Sequence, residues 1–306
     1  MYDIIIVGAG TAGLSAAIYG VRAGKKVLVF EEKSYGGQIV NTPSVENYPG
    51  IKNISGFEFA TNLYEQAIEL GAVVKYEKVL GLEIKENTKD LTKTILVKTP
   101  EEEYESKTLI LATGAKNRPL GIEGEQEYIG RGLSYCATCD GMFFRGKDVA
   151  VVGGGNTALE DAGFLSNYCN RVYVIHRRNE FRGEEHLVQN LRTKSNIEFV
   201  LESKVIGIEG EGSLKRIKII NTNSKEEKVI DIAGLFVAIG QMPDNSAFSD
   251  VVSLDGYGYI HGNEDCKTNV PGIFVAGDCR TKTVRQLTTA ASDGAVAALA
   301  ACEYIG

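Results

Sequence analysis

Two stretches of this 306-residue chain repeat one arrangement: an apolar strand, a glycine-rich turn, a helical segment and a second apolar strand. The first copy runs Ile4-Ile5-Ile6-Val7, then Gly8-Ala9-Gly10-Thr11-Ala12-Gly13, a helical stretch Leu14 to Arg22, and the strand Lys26 to Phe30 ending at Glu31. This is the βαβ setting that a GxGxxG turn needs in order to bind a dinucleotide. The first glycine permits the tight turn, the second lets a pyrophosphate approach the backbone, and the third lets helix and strand pack closely. Glu31 comes eighteen residues after Gly13, where a ribose hydroxyl would be held.

The second copy runs Asp148 to Val152, then Gly153-Gly154-Gly155-Asn156-Thr157-Ala158, a helical stretch Leu159 to Leu165, and the strand Arg171 to Ile175. Eighteen residues after Ala158 the acid is replaced by His176-Arg177-Arg178, with Arg182 four residues beyond Arg178. A carboxylate there repels a 2′-phosphate, whereas guanidinium groups grip one through paired hydrogen bonds. The first site is therefore expected to take an adenosine with free ribose hydroxyls, and the second to prefer NADP over NAD.

A further pair matches. Leu109 to Gly114 and Leu235 to Gly240 are each an apolar strand closing on a small-residue turn, followed by Pro119 and Pro243. After Gly240 the chain reaches another buried strand, Gly272 to Val275, ending in Ala276-Gly277-Asp278. The expected fold class is α/β, with two Rossmann-like dinucleotide-binding domains and the second inserted in the first. Residues 1–116 and 245–306 form the first domain and 117–244 the second. Ile84 to Thr108 is expected to be an antiparallel meander packed on the first sheet, with a polar turn near Asn87 to Asp90. Linkers near Gly114–Pro119 and Gly240–Asn245 are expected to act as hinges between the domains.

Between the two fingerprints lies Ser134-Tyr135-Cys136-Ala137-Thr138-Cys139-Asp140-Gly141. Two thiols at this spacing close a disulfide, bind a metal or do neither. Their position between two nucleotide sites points to electron transfer, and Asp140 stands next to the second sulfur as a proton source. The four other cysteines, Cys169, Cys266, Cys279 and Cys302, have no motif spacing. No metal site is expected, because one CxxC gives two ligands where zinc takes four, and His176, His186 and His261 are not paired in spacing. A net charge of −7 and the lack of any long Lys/Arg run argue against nucleic acid or an anionic membrane as partner. No basic leader precedes Ile4 and no apolar run reaches 18 residues, so neither a secretory signal nor a membrane span is expected. The expected location is the cytoplasm, where a persisting CxxC disulfide is catalytic.

Together, Gly8 to Gly13, Gly36-Gly37-Gln38, Val45-Glu46-Asn47-Tyr48-Pro49-Gly50, Cys136 to Gly141, His176 to Arg178 and Ala276 to Asp278 closely resemble the bacterial thioredoxin reductases of the small class. The resemblance covers essentially the whole chain. It implies a homodimer that passes electrons from NADPH through FAD and a Cys136–Cys139 redox disulfide to oxidised thioredoxin. It implies FAD in the first domain, at Gly8, Gly10, Thr11, Ala12 and Gly13, at Glu31 and Glu32, at Gly36, Gly37 and Gln38, and at Asn47 and Val79. Further contacts fall on Ala112, Thr113 and Gly114, on Gly277 and Asp278, and on Arg285, Gln286 and Leu287. It implies NADPH at Gly154, Gly155, Asn156 and Thr157, at His176, Arg177, Arg178 and Arg182, and at Ile239 and Gly240. Cys139 is the sulfur that meets the flavin, Cys136 the nucleophile toward the partner, and Asp140 the general acid and base. The sequence departs from the family at Thr11, where proline is usual, and at Asn179 and Gly183, where Asp and Ala are common. The alternatives are a same-fold reductase acting on another thioredoxin-like partner, and one fed by ferredoxin or reduced flavin, which has no need of the second nucleotide site.

Overall fold

The computed structural model describes residues 1–42, 44–86 and 93–306, so the polar turn expected near Asn87 to Asp90 lies outside the described residues. The described chain falls into two compact units, Met1–Lys116 with Met242–Gly306, and Asn117–Gln241.

The first unit opens with β1 (Tyr2–Val7), α1 (Thr11–Arg22), β2 (Val27–Phe30), α2 (Gly56–Glu69), β3 (Val73–Lys75), β4 (Gly81–Glu86), β5 (Lys93–Lys98) and β6 (Glu103–Leu111). β1 pairs in parallel with β2 on one side and β6 on the other, Ile4 lying opposite both Val27 and Thr108. Because side chains alternate across a strand, Ile4 and Ile6 share one core with Leu14 and Ala17, while Ile5 and Val7 share a second with Leu28, Phe30 and Phe248. A strand covered on both faces reads as an unbroken apolar run, and each fully buried isoleucine contributes roughly 1.5–3 kcal/mol.

The antiparallel meander expected over Ile84 to Thr108 is present as β4, β5 and β6, but it does not pack on the first sheet. It is the edge of that sheet. The nine-residue β6 serves both parts: its Glu103–Ser106 end pairs with β5, and its Ser106–Leu111 end pairs with β1.

After β7 (Ala115–Asn117) the second unit contains β8 (Leu133–Ser134), α3 (Ala137–Asp140), β9 (Asp148–Val152), α4 (Asn156–Leu165), β10 (Arg171–Ile175), α5 (Glu185–Arg192) and β11 (Ile197–Val200). β12 (Ser203–Glu209), β13 (Arg216–Asn221), β14 (Glu227–Asp231) and β15 (Gly234–Val237) complete it. Its parallel sheet runs β11-β10-β9-β15-β8, the same neighbour pattern around β9 that the first unit has around β1. β12, β13 and β14 form a separate antiparallel sheet that the sequence reading does not predict. The inward Val205, Ile217, Ile219 and Ile230 of that sheet cover Ala150 and Val152, while Val149 and Val151 face α4 and α5 through Leu159, Val188 and Leu191.

The chain returns through β16 (Gln241–Pro243), which pairs with β7, then β17 (Ile273–Val275), which joins β6 in parallel, and α6 (Leu287–Ile305). The first unit takes back the chain at Met242, earlier than the boundary at 244/245 read from sequence. Just beyond that boundary Asn245 anchors the returning chain in the first unit: it is almost fully buried, its amide donates to the carbonyls of Gly258 and Cys279 and its Oδ1 accepts from Thr113 Oγ1.

Both fingerprint helices begin sooner than their apolar patterns imply, α1 at Thr11 rather than Leu14 and α4 at Asn156 rather than Leu159. Their N-caps are Gly10 and Gly155, which offer no side-chain cap. The first-turn N–H groups of both helices thus receive no hydrogen bond from an N-cap side chain.

Candidate active site

The first unit encloses a cavity of about 640 Å³ at the C-terminal ends of β1, β2 and β6. Gly8, Gly10, Thr11 and Ala12 line it, with Glu31, Glu32, Gly36, Gly37, Gln38 and Val79. Ala112, Thr113, Gly114, Gly277, Asp278, Gln286 and Leu287 complete that set. Three residues of the sequence reading stand outside the lining. Gly13 is buried behind it, where a Cβ would lie 1.8 Å from the Gly8 carbonyl oxygen. Asn47 donates to Gln286 Oε1 at 3.2 Å. Arg285 lies over the Tyr259 ring at 4.3 Å and donates to the Asp278 carbonyl.

Glu31 and Asp278 are two of the carboxylates that line this cavity. Glu31 is fixed by the turn itself, accepting N–H bonds from Ala9 at 3.0 Å and Lys33 at 2.9 Å. Asp278 carries a buried Oδ1 with no partner among the described residues, and burial raises its pKa. A buried unpaired carboxyl oxygen is costly unless a hydroxyl or N–H meets it. The turn that carries Asp278 is pinned from α6 by Asp293, which sequence reasoning missed. Asp293 accepts from the Gly277 N–H at 2.9 Å, from Arg280 Nε at 2.8 Å and from Lys282 Nζ at 2.8 Å. The available signal was an acid inside an otherwise alanine-rich helix.

The redox motif lies in the second unit. Cys136 and Cys139 form a disulfide across α3, of which Cys136 is the N-cap. Ser134 Oγ accepts the Cys136 N–H at 3.0 Å and donates to Asp140 Oδ2 at 2.6 Å. Asp140 Oδ1 is buried without a partner among the described residues. Burial raises the Asp140 pKa and the Ser134 hydrogen bond opposes that rise. Met142 and Phe143, next along the chain, are exposed at 47% and 39%, an apolar patch that sequence reading did not single out. The remaining cysteines are free thiols; Cys169, Cys266 and Cys279 are buried. Among the described residues no group of three or more His, Cys, Asp or Glu is placed to hold a metal ion, and no helix is long and apolar enough to cross a membrane.

In the same unit, Gly154 to Thr157 open α4, and Ile239 and Gly240 follow β15. Arg177, Arg178 and Arg182 are exposed, and their guanidinium groups form no ion pair among the described residues. His176 differs from its arginine neighbours. Its ring is buried, stacks on Phe181 at 5.3 Å and meets the Glu180 carbonyl at 3.1 Å. Any Cβ on Gly154 would lie 2.2 Å from that ring. Burial, its leading cause, lowers the His176 pKa, which favours a neutral ring beneath the Gly153-Gly154-Gly155 turn.

The pyridine nucleotide-disulphide oxidoreductase family matches residues 2–294 of this chain. A thioredoxin reductase of Mycoplasma genitalium is 42% identical over 300 residues, covering 98% of this chain and 94% of its own. A thioredoxin reductase of Treponema pallidum is 41% identical over 305 residues, covering 99% and 97%. The crystal structure of thioredoxin reductase from Streptococcus pyogenes superposes with a TM-score of 0.92 at 38% identity, covering 99% of this chain and 98% of that one.

Proposed function

This chain belongs to the pyridine nucleotide-disulphide oxidoreductases, and on that premise we propose that it is an NADPH-dependent thioredoxin-disulfide reductase with FAD as its resident cofactor. The observation that carries the proposal is the closed Cys136–Cys139 disulfide beside a buried carboxyl, in the same unit as a nucleotide fingerprint followed by three exposed arginines. That a ferredoxin-flavin thioredoxin reductase of Clostridium acetobutylicum also shares the fold, at 29% identity and a TM-score of 0.52, makes the arginines the discriminating feature.

The cavity fits a flavin nucleotide: its glycine turn faces a bare helix N-terminus, and the orphaned Asp278 Oδ1 has the acceptor that a ribityl hydroxyl needs. Glu31 would take the adenosine ribose, and the N–H groups of Gly10 to Gly13 the pyrophosphate. When bound, FAD supplies a two-electron relay between a nicotinamide hydride and the disulfide. Gly154 to Thr157 would hold the NADPH pyrophosphate and Arg177, Arg178 and Arg182 its 2′-phosphate.

Reduction of the Cys136–Cys139 bond takes two electrons and two protons, and Asp140 delivers a proton to the departing sulfur. The Cys136 thiolate then attacks one sulfur of the thioredoxin disulfide, that S–S bond breaks, and the partner's leaving sulfur takes a proton. Cys139, deprotonated by Asp140, attacks the Cys136 sulfur of the mixed disulfide, which closes the pair again and frees reduced thioredoxin. Met142 and Phe143 give the partner an apolar footing beside these sulfurs. A homodimer in the cytoplasm, whose second unit swings on the crossing segments during turnover, completes the reading.

Anaerobic mixing with NADPH is expected to bleach the bound flavin at 450 nm, with NADH less effective by about a hundredfold, the loss of charge-assisted bonds to one phosphate. Turnover should then depend on added thioredoxin. A flavin bleached by neither nucleotide overturns the proposal in favour of another electron donor.

Asp140→Asn is expected to lower thioredoxin turnover by about 10²- to 10⁴-fold, the usual range for a positioned acid–base group. The wild-type general-acid limb should fall as pH rises through the raised pKa of Asp140. In Ser134→Ala, which loses the hydrogen bond that opposes the rise, that limb should move to higher pH. A pH–rate profile of kcat measures both; an unmoved limb would rule out Asp140 as its source.

A further inference from the structure

The arginine loop and the phosphate turn of the second unit are fastened together by a residue that belongs to neither motif. The backbone N–H groups of Arg182 and Gly183 both donate to the Gly154 carbonyl, at 2.7 and 3.0 Å. One residue further on, Glu184 and Asn156 exchange two hydrogen bonds. The Glu184 N–H donates to Asn156 Oδ1 at 2.8 Å, and Asn156 Nδ2 donates to Glu184 Oε1 at 2.8 Å. Asn156 is the first residue of α4, directly after its Gly155 N-cap. Gly183 stands in the angle between the loops, where a Cβ would lie 2.5 Å from Leu159 Cδ1 and 3.1 Å from the Asn156 nitrogen.

We propose that Glu184 is a positioning residue for nucleotide choice, latching the loop that bears Arg177, Arg178 and Arg182 onto the start of α4 through Asn156. The proposal rests on the NADPH reading of that site. The pyrophosphate at a helix N-terminus is common to NADPH and NADH, so it senses α4 alone. Only the 2′-phosphate senses the loop. The three guanidinium groups sit on long, exposed side chains, and their grip depends on where the backbone holds them. A loosened loop therefore weakens NADPH binding and leaves NADH binding in place.

Titration of the flavin-loaded protein with NADP⁺ and with NAD⁺ tests this. Glu184→Ala removes one of the two latch bonds and is expected to raise the Kd for NADP⁺ by about three- to tenfold, the net worth of a single ordinary hydrogen bond. The Kd for NAD⁺ should stay within about twofold, and in turnover the loss should appear in KM for NADPH rather than in kcat. Glu184→Gln keeps an oxygen acceptor for Asn156 Nδ2 and should restore wild-type affinity. Glu184→Pro suits the observed φ of −65° and removes the N–H donor as well, so its loss should exceed that of Glu184→Ala. An unchanged ratio of NADP⁺ to NAD⁺ affinity in Glu184→Ala, or a Glu184→Gln variant no better than it, overturns the latch. A wild-type protein that binds NADP⁺ no more tightly than NAD⁺ instead overturns the nucleotide reading on which the latch depends.

Discussion

Replacing either Cys136 or Cys139 with serine is expected to abolish thioredoxin turnover, by more than about a thousandfold, while the flavin remains reducible by NADPH. Loss of a covalent nucleophile costs this much or more, because no neighbouring group replaces it. The two variants should differ in a way that assigns the sulfurs. Cys139→Ser keeps the sulfur read as facing the partner. A thioredoxin stripped of its second cysteine and activated as a thionitrobenzoate disulfide should cross-link to it, releasing one thionitrobenzoate per chain. Cys136→Ser keeps only the sulfur read as facing the flavin and should cross-link far more slowly. The Cys136 sulfur is the N-cap residue of α3 and lies 3.4 Å from Thr138 Oγ1. A helix of four residues supplies little dipole, so the difference in rate reports access rather than acidity. Intact-mass measurement of the adduct and absorbance at 412 nm follow the reaction. Faster cross-linking of Cys136→Ser would exchange the two assignments.

What the residues alone reveal depends on whether a local pattern carries the signal. The two βαβ units were legible because strand, turn and helix each leave their own mark: unbroken apolar runs at Ile4–Val7 and Val149–Val152, glycines at fixed spacing, and an acid or arginines at the end of the next strand. The CxxC was legible as an electron-transfer motif only from its place between those units. Less visible were features made by distant partners. The β12–β14 sheet alternates apolar and polar residues, as any surface meander does, and nothing in that pattern says that it covers Ala150 and Val152. Asp293, Asn245 and Glu184 matter through residues far away in sequence: Asp293 through Arg280 and Gly277, Asn245 through Thr113 and Cys279, Glu184 through Asn156. His176 illustrates the converse. Its place in a His-Arg-Arg run groups it with exposed arginines, yet the ring of His176, just past the end of β10, is buried beneath Gly154.

The same distinction separates the glycines of one fingerprint. Gly13→Ala is expected to yield protein with less than about a tenth of the wild-type flavin and a lowered Tm. Its Cβ would lie 1.8 Å from the Gly8 oxygen and 3.0 Å from the Gly8 carbon, and both are backbone atoms that cannot rotate aside. Gly8 cannot retreat, because at φ +107° it already holds the turn, and a Cβ built there would meet the Ala112 oxygen at 2.3 Å. Helix α1 must therefore move off β1, which takes its N-terminal N–H groups away from the cavity. On its other side α1 meets α6 so closely that a Cβ on Gly294 would lie 2.1 Å from the Ala12 oxygen, so the displacement strains a second contact. Overpacking of this kind costs about 1–3 kcal/mol, and each kcal/mol lowers Tm by roughly 2–4 °C in a unit of this size. Gly10→Ala makes the comparison. Gly10 has φ −80°, which alanine adopts freely, and its Cβ would have nothing closer than the Gly36 oxygen at 4.0 Å. The flavin-free protein should then keep the wild-type Tm, while the methyl group intrudes on the space for the pyrophosphate and weakens FAD binding. Absorbance at 450 nm relative to 280 nm gives the flavin content, and thermal melts of the stripped proteins give the stability. A Gly13→Ala protein with full flavin and an unshifted melt would show that α1 has room to slide, and the close approach of helix to turn would then not be what the third glycine is for.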